Sequence, residues 1–139
     1  MSYKPGDVLK ERYVIQEVLG QGSMGEVYRA EHVAIHRQFA IKLMHVHVAE
    51  QADALTRFMR EARAAAQLEH PHICQVTDFD STASGDFYLV MEYLKGETLR
   101  DRLKRDGCIE LHSIFRIMDD LLCALECAHE SGIVHRDVK

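Results

Sequence analysis

The sequence has no long apolar run, no excess of basic residues and no low-complexity tract. A membrane-spanning helix needs about 18 consecutive apolar residues, and no such window occurs in the 139 residues. The net charge of −5 gives no basis for binding nucleic acid or an anionic membrane. The opening stretch MSYKPGDVLKERY has no apolar segment typical of a secretory signal. We therefore expect a cytoplasmic chain with no membrane segment and no nucleic-acid partner.

Cysteine is also sparse, with four residues at Cys74, Cys108, Cys123 and Cys127. Without a secretory signal, a disulfide framework is not expected. Cys123 and Cys127 are four residues apart in a helical pattern, but a metal site needs three or four converging ligands. Small thiols packed on a helix face are the preferred interpretation, and we predict no metal ligands in this chain.

The first two thirds of the chain show the pattern of strands around one helix. Apolar or alternating segments at 13–19, 26–30 and 39–44 predict three strands. Residues 51–68 place apolar side chains at three- and four-residue spacings in an alanine-rich context, which predicts a helix. With 47% hydrophobic and 28% charged residues, the chain has the composition of one globular domain or part of one.

Two short apolar runs, 73–76 and 87–91, flank a turn sequence and predict a β-hairpin. From Thr98 onward the sequence changes to helical periodicity. Thr98 is a candidate N-cap and Gly107 a candidate stop for a short helix, and a longer helix is predicted over 111–130. This order of elements predicts an α+β fold with an antiparallel sheet followed by a helical part.

The segment Gly20-Gln21-Gly22-Ser23-Met24-Gly25 fits the pattern G-x-G-x-x-G. Glycines allow a backbone to fold closely over phosphate groups with its N–H groups pointing inward. In a dinucleotide-binding fold the motif opens a helix and an acidic residue follows about 20 positions later. Here the alternating sequence EVYRA follows, and position 42 is a lysine. A glycine-rich hairpin is favoured, either as a phosphate loop or as a plain turn.

Two further positions could carry chemistry. Lys42 lies in an apolar strand, where an ammonium group is costly without a partner. Glu61 in the following helix is the natural partner, although it could be an ordinary surface glutamate. Near the end of the chain, an apolar pair leads into His135-Arg136-Asp137. A carboxylate there could accept a proton from a hydroxyl nucleophile, or it could form a simple surface pair with the arginine.

Together these pieces resemble the first half of a protein kinase domain. GQGSMGEV, AIK with Lys42, Glu61, MEYLKG and HRDVK occur in the order that this family uses. The resemblance extends from about Tyr13 to Lys139 and is greatest to bacterial-type serine/threonine kinases. It implies a short N-terminal segment at 1–12, followed at 13–94 by an N-lobe with about five antiparallel strands and one helix. Residues 95–139 would then form the first helices of the C-lobe.

The resemblance also implies an activity and a set of site residues. The activity is transfer of the ATP γ-phosphate to serine or threonine hydroxyls of a protein substrate, with ATP and Mg²⁺ as cofactors. The implied phosphate-binding residues are Gly20, Gly22, Gly25 and Lys42, with Lys42 held by Glu61. The implied residues around adenine are Leu19, Val27, Ala40, Met91, Glu92 and Leu94. The implied catalytic residues are Asp137, as the base, and Lys139, beside the transferred phosphate.

In the family, the Mg²⁺ ligands are an asparagine five positions after the catalytic aspartate and an Asp-Phe-Gly aspartate further on. Neither is among the 139 residues. We therefore expect this chain alone to be inactive in phosphate transfer and the complete domain to be active. The alternative hypothesis is a truncated kinase-like module that binds ATP or a partner without transferring phosphate.

Overall fold

The computed structural model describes residues 2–22, 25–44, 52–136 and 138; at positions 52–55, 57 and 61 it describes the backbone alone. Six antiparallel strands form one sheet in the order β1-β2-β3-β4-β6-β5. Their bounds are β1 Val8–Leu9, β2 Tyr13–Gly22, β3 Gly25–His32, β4 Gln38–Met44, β5 Val76–Ser81 and β6 Phe87–Glu92. The predicted antiparallel sheet is confirmed, with six strands where the sequence predicted about five.

The additional strand, β1, precedes the predicted range and has only two residues. Val8 and Leu9 pair with the start of β2, and a tight turn connects the two strands. Lys10 and Glu11 in this turn have φ values of 50° and 56°, and the Arg12 N–H donates to the Leu9 carbonyl at 3.0 Å. Positive φ at two residues that are not glycine or asparagine is uncommon, so the usual sequence signal for a hairpin turn is missing here.

The register of the strands divides the side chains between two faces of the sheet. Residues paired across antiparallel strands project to the same face, and successive residues alternate. One face carries the main hydrophobic core, which we call the core face. Its largest buried side chains are Ile15, Tyr28, Ile41, Leu43, Tyr88 and Val90. The opposite face carries the alternate positions of the same strands.

Helix α1, Ala52–Ala66, packs on this opposite face. Its residues Phe58 and Ala62, one turn apart, are buried in a cluster with Met44 of β4 and Leu89 of β6. The predicted helix over 51–68 is confirmed at its centre, and the structure ends the helix at Ala66. We call this side of the sheet the helix face.

The hairpin formed by β5 and β6 is confirmed, but its first strand is displaced from the prediction. The sequence predicted a strand at 73–76, whereas β5 begins at Val76 and continues through the polar sequence TDFDS to Ser81. Pairing with β6 selects this register, with Val76 opposite Met91 and Ser81 opposite Phe87. The Asp80 carboxylate accepts a hydrogen bond from the Ser81 N–H at 2.7 Å. This bond gives the polar side chain a partner within the edge strand.

The helices of the last third follow the sequence prediction. Helix α2 is Leu99–Asp106 and helix α3 is Leu111–Glu130. The Thr98 hydroxyl accepts the N–H of Asp101 at 3.1 Å, and Gly107 ends α2 with φ of 75°, which confirms the predicted N-cap and stop. No helix among the described residues is long and apolar enough to cross a membrane.

By its internal contacts the chain divides into two compact units. One comprises Met1–Gln67 with Gln75–Tyr93, and it contains the sheet and α1. The other comprises Leu68–Cys74 with Leu94–Lys139, and it contains α2 and α3. The division into 1–12, 13–94 and 95–139 stays a prediction.

Candidate functional site

The glycine-rich segment forms the tip of the hairpin between β2 and β3. Gly22 ends β2 and pairs with Gly25, which begins β3, and Gly20 pairs with Val27. The motif is therefore followed by a strand, as the alternating sequence predicted. A dinucleotide-binding fold requires a helix at this place, so that interpretation is excluded.

The three glycines of this loop meet different surroundings. A Cβ atom at Gly25 would lie 1.8 Å from the carbonyl oxygen of Leu43 on β4, and the φ of Gly25 is 147°. Packing of the strands therefore requires glycine at this position. A Cβ at Gly20 would meet no atom of the described residues within 4 Å, and one at Gly22 only the Gly25 oxygen at 4.0 Å. As far as the described residues show, the space beside Gly20 and Gly22 is open, as a ligand site requires.

Three of the six residues predicted around adenine lie on the helix face. Val27 pairs with Lys42, and Ala40 pairs with Met91, so these side chains project to the same side of the sheet. Ala40 is buried, whereas Val27 and Met91 are half-buried. The structure therefore brings three of the predicted apolar positions together with the predicted lysine.

Leu19 occupies a bulge at the base of the glycine-rich loop. The register of β2 against β3 shifts between Val18 and Gly20, so Leu19 has no partner opposite it in that ladder. Its side chain is 43% exposed. A bulge redirects a side chain and increases the local twist of a strand, which leaves Leu19 available to a ligand beside the loop.

Lys42 projects from the centre of β4 toward helix α1. Its Nζ atom lies 5.7 Å from the centre of the Phe58 ring, a cation–π distance that partly compensates an ammonium on an apolar strand. Glu61 follows Phe58 by three residues on α1, and residues three apart lie on neighbouring parts of a helix surface. The side chain of Glu61 lies outside the described residues, so the Lys42–Glu61 pair stays a prediction.

Glu92 and Leu94 follow the last strand of the sheet. The Glu92 N–H donates to the Gln75 carbonyl at 3.0 Å, and the Glu92 carboxylate accepts the Gln75 N–H at 2.8 Å. This reciprocal pair fixes the end of β6. Leu94 lies beyond the strand, and its side chain is 62% exposed.

The predicted catalytic residues Asp137 and Lys139 lie outside the described residues. Arg136, directly before Asp137, has a φ of 62°, a conformation that costs a non-glycine residue about 1–3 kcal/mol and is concentrated at functional loops.

One histidine and one carboxylate lie close together elsewhere: His72 Nε2 is 3.2 Å from the Asp120 carboxylate. Within the described ranges, no group of three histidine, cysteine, aspartate or glutamate side chains converges as a metal site.

Sequence reasoning missed a polar pair behind the loop. Glu26 on β3 is only 5% exposed and lies on the core face. Its Oε1 atom accepts the Gln21 Nε2 donor at 2.8 Å, and its carboxylate also accepts the Tyr28 hydroxyl. Burial and then this hydrogen bond raise the pKa of Tyr28 to about 12. The period-two pattern of GQG and EVY contained the signal, since it places Gln21 opposite Glu26.

Comparison with known proteins gives one consistent result. Residues 13–139 match the protein kinase domain family. The chain is 40% identical over 134 residues to the serine/threonine-protein kinase PknB of Mycobacterium leprae, covering 94% of this chain and 22% of that protein. It is 36% identical over 134 residues to the serine/threonine-protein kinase PrkC of Bacillus subtilis, covering 96% of this chain and 20% of that protein.

Solved structures show the same fold. The PknI kinase domain of Mycobacterium tuberculosis superposes with a TM-score of 0.82 at 28% identity, covering 100% of this chain and 57% of that one. The chain thus spans about a fifth of the length of the two curated relatives and just over half of a solved kinase domain.

Proposed function

The chain belongs to the protein kinase family, and from this premise we propose that it supplies the nucleotide-binding part of a serine/threonine protein kinase. The reaction is transfer of the γ-phosphate of ATP to a serine or threonine hydroxyl of a protein substrate. One observation carries the proposal: the open side of a glycine hairpin and the half-buried Lys42 lie on the same face of one sheet.

The glycine-rich loop and Lys42 fit the phosphates of ATP. The absence of side chains at Gly20 and Gly22 leaves the backbone accessible, and exposed backbone N–H groups favour anionic ligands. Lys42 supplies a positive charge, and Glu61 is its proposed partner. Mg²⁺ bound with ATP neutralises phosphate charge and holds the phosphates in position. The described residues include no converging ligand set for a metal, so we assign Mg²⁺ to none of them.

The adenine ring would pack against the apolar part of the helix face. Val27, Ala40 and Met91 provide adjacent apolar surface there, and Leu19 adds the bulge beside the loop. Hydrogen bonds to the adenine edge would come from the backbone after β6. Because the Glu92 N–H already donates to Gln75, we assign the contribution of Glu92 to its carbonyl oxygen, and a second contact to Leu94.

Proton transfer and charge stabilisation are assigned to the segment after α3. We propose Asp137 as the group that accepts the proton of the attacking hydroxyl, which a carboxylate within hydrogen-bond reach can do. We propose Lys139 as the cation beside the transferred phosphate, where it would stabilise developing negative charge. Because the reaction uses ATP and a protein substrate as its partners, we also propose a cytoplasmic location for this part of the protein.

The test is phosphate transfer from radiolabelled Mg²⁺-ATP to a protein substrate and to the kinase itself, using the full-length protein. Lys42→Met and Asp137→Asn should each lower transfer by at least about 10²-fold, as for removal of a charge-stabilising group. Lys10→Met is the matched control, because Lys10 is an exposed lysine that pairs with Asp80 on the sheet edge. It should leave the rate unchanged.

Nucleotide binding separates the proposal from a binding module without transfer. We expect Asp137→Asn to keep the wild-type affinity for Mg²⁺-ADP, measured by calorimetry, while losing transfer. Wild-type protein that binds Mg²⁺-ADP without any transfer above the Asp137→Asn background would contradict the kinase function and leave the binding module. Equal transfer by Lys42→Met and wild type would contradict the assignment of Lys42.

A further inference from the structure

Gln21 occupies the position between the first two glycines of the loop, and its side chain projects away from them. Gly20 pairs with Val27 and Gly22 with Gly25, whereas Gln21 pairs with Glu26. Because side chains alternate along a strand, Gly20 and Gly22 lie on the helix face and Gln21 lies on the core face. The 2.8 Å hydrogen bond from Gln21 Nε2 to Glu26 Oε1 therefore holds the loop from the side that a ligand does not occupy.

The Glu26 carboxylate that accepts this bond is itself held in a fixed orientation. Its side chain is buried, and burying a carboxylate is costly unless donors surround it. The Tyr28 hydroxyl, buried beside it, is one such donor. A tyrosine hydroxyl is protonated, and so able to donate, at neutral pH. A carboxylate fixed in this way presents its other lone pairs in a defined direction.

The same carboxylate oxygen also binds the segment 2–7, which lies ahead of the residues matched by the kinase family. The Ser2 hydroxyl donates to Glu26 Oε1 at 3.0 Å. The Tyr3 N–H donates to the Tyr28 hydroxyl oxygen at 3.0 Å, and the two tyrosine rings meet edge to face with centroids 6.1 Å apart. The segment and the glycine-rich loop thus share one acceptor.

Further along, backbone hydrogen bonds tie the segment 2–7 to the sheet. The Gly6 N–H donates to the Ile15 carbonyl and the Ile15 N–H donates to the Asp7 carbonyl, both at 2.8 Å. Ile15 is fully buried in the core. The segment is therefore anchored at one end on β2 and reaches Glu26 with the other.

We propose that Glu26 is a positioning residue of the nucleotide site, which ties the glycine-rich loop to the segment 2–7. Glycine gives the loop many accessible conformations, and ordering them when a nucleotide binds costs affinity. The Gln21–Glu26 bond removes part of this cost before binding. The effect on nucleotide affinity rests on the proposed function, whereas the effect on the loop does not.

Two measurements on the full-length protein test this role: hydrogen exchange of residues 20–25 without nucleotide, and the Kd for Mg²⁺-ADP by calorimetry. Gln21→Ala should raise the exchange rate of residues 20–25 and the Kd about fivefold each, as for loss of one ordinary hydrogen bond. Glu26→Leu, whose side chain accepts no hydrogen bond from Gln21 or Ser2, should raise them at least as much. The double variant should change them no more than Glu26→Leu alone, because that substitution already removes the bond to Gln21. Gln21 is exposed, so Gln21→Ala keeps the test valid if Glu26→Leu fails to fold.

The hairpin offers a matched control. Gln16 on β2 donates Nε2 to Glu31 Oε2 on β3 at 3.0 Å, which is the same type of bond at the opposite end of the same ladder. Gln16→Ala should change neither the exchange of residues 20–25 nor the Kd. Ser2→Ala should raise the exchange about twofold, since it removes one weaker bond on the segment 2–7.

Unchanged exchange of residues 20–25 in Gln21→Ala would overturn the proposal. Additive effects of Gln21→Ala and Glu26→Leu would also overturn it, since the two residues would then act separately. Unchanged exchange in Ser2→Ala would overturn the part assigned to the segment 2–7. If the wild-type protein bound no nucleotide, the proposed function would fail, and the exchange data would still decide whether Glu26 positions the loop.

Discussion

Replacing Gly25 with alanine would place a methyl group against the backbone of the neighbouring strand. The added Cβ would lie 1.8 Å from the Leu43 oxygen and 2.9 Å from its carbonyl carbon. Both atoms belong to β4, which is paired on its two sides with β3 and β6. The backbone of β4 cannot move aside without disturbing these ladders, so the Gly25→Ala variant must instead displace the start of β3.

Two costs add at this position. A non-glycine residue held at φ of 147° is strained by about 1–3 kcal/mol. Inserting a methyl group into a packed site costs about 1–3 kcal/mol more. We expect the free energy of unfolding to fall by about 2–6 kcal/mol in total. At about 3 °C per kcal/mol for a domain of roughly 150–250 residues, this corresponds to a decrease in Tm of roughly 6–18 °C.

Gly20→Ala and Gly22→Ala are the matched variants, because they add the same methyl group on the same loop. Neither glycine has φ in the left-handed range, and the added Cβ meets no closer atom of the described residues than 4.0 Å. Their Tm should stay within about 2 °C of wild type, since an unstrained Gly→Ala change is neutral or slightly stabilising. Their Kd for Mg²⁺-ADP should rise, because the methyl group occupies space proposed for the phosphates.

Thermal unfolding of the full-length variants, followed by circular dichroism and calorimetry, separates the two effects. Gly25→Ala lowers Tm, whereas Gly20→Ala and Gly22→Ala weaken nucleotide binding at constant Tm. A Gly25→Ala variant as stable as wild type would refute the reasoning from the Leu43 contact. Equal losses of Tm in all three variants would show that the glycines share one structural role.

Three further outcomes are expected. Lys42→Arg should lower kcat by about 10²-fold in a phosphate-transfer assay, because a planar guanidinium cannot replace a compact ammonium. An unchanged kcat would argue against a contact between the Lys42 ammonium and the ATP phosphates. Stability should fall between about pH 10 and pH 12, because the unfolded chain loses the Tyr28 proton near pH 10 while the folded chain keeps it until about 12. Tyr28→Phe should make this fall shallower in urea unfolding, and an identical slope would count against the assignment. Thr98→Ala should lower the free energy of unfolding by about 1 kcal/mol through loss of the α2 N-cap, measured by urea unfolding. Thr98→Ser, which keeps a capping hydroxyl, is the control and should stay close to wild type.

The parts of the fold predicted from sequence are those that short-range chemistry determines. Alternation after Gly25 predicted a strand, and a strand is found. The hydroxyl of Thr98 and the positive φ available to Gly107 predicted the ends of α2, and both act as expected. At the ends of α2 the side chain of Thr98 and the conformational freedom of Gly107 suit the backbone of a helix terminus. Tertiary contacts are therefore not needed to identify these ends.

The parts that sequence reasoning missed depend on partners far along the chain. Strand β5 contains Asp78 and Asp80, which disfavour a strand locally, and it forms because β6 pairs with it. Glu26 was interpreted only as a polar position of an alternating strand. Its burial depends on donors from residues 2, 21 and 28, and two of these lie on neighbouring strands or segments rather than on β3.

The candidate site shows the same division. The shared face of Val27, Ala40 and Lys42 could be predicted, because the period of a strand is fixed and the hairpin between β3 and β4 sets their register. The place of Met91 beside Ala40 could not, because β6 pairs with β4 across an intervening helix and strand. The cation–π contact between Lys42 and Phe58 could not, because it depends on how α1 packs on the sheet.

The short turn between β1 and β2 has a consequence for how molecules of this protein associate. Its Arg12 lies 3.2 Å from Asp78 and its Lys10 lies 3.4 Å from Asp80, both on edge strand β5. Exposed strand edges are where chains add to one another and begin fibrils, and charged side chains oppose this. Since these pairs are solvent-accessible, salt screens them. Edge-to-edge aggregation should therefore become easier as ionic strength rises, although the hydrophobic core is unchanged.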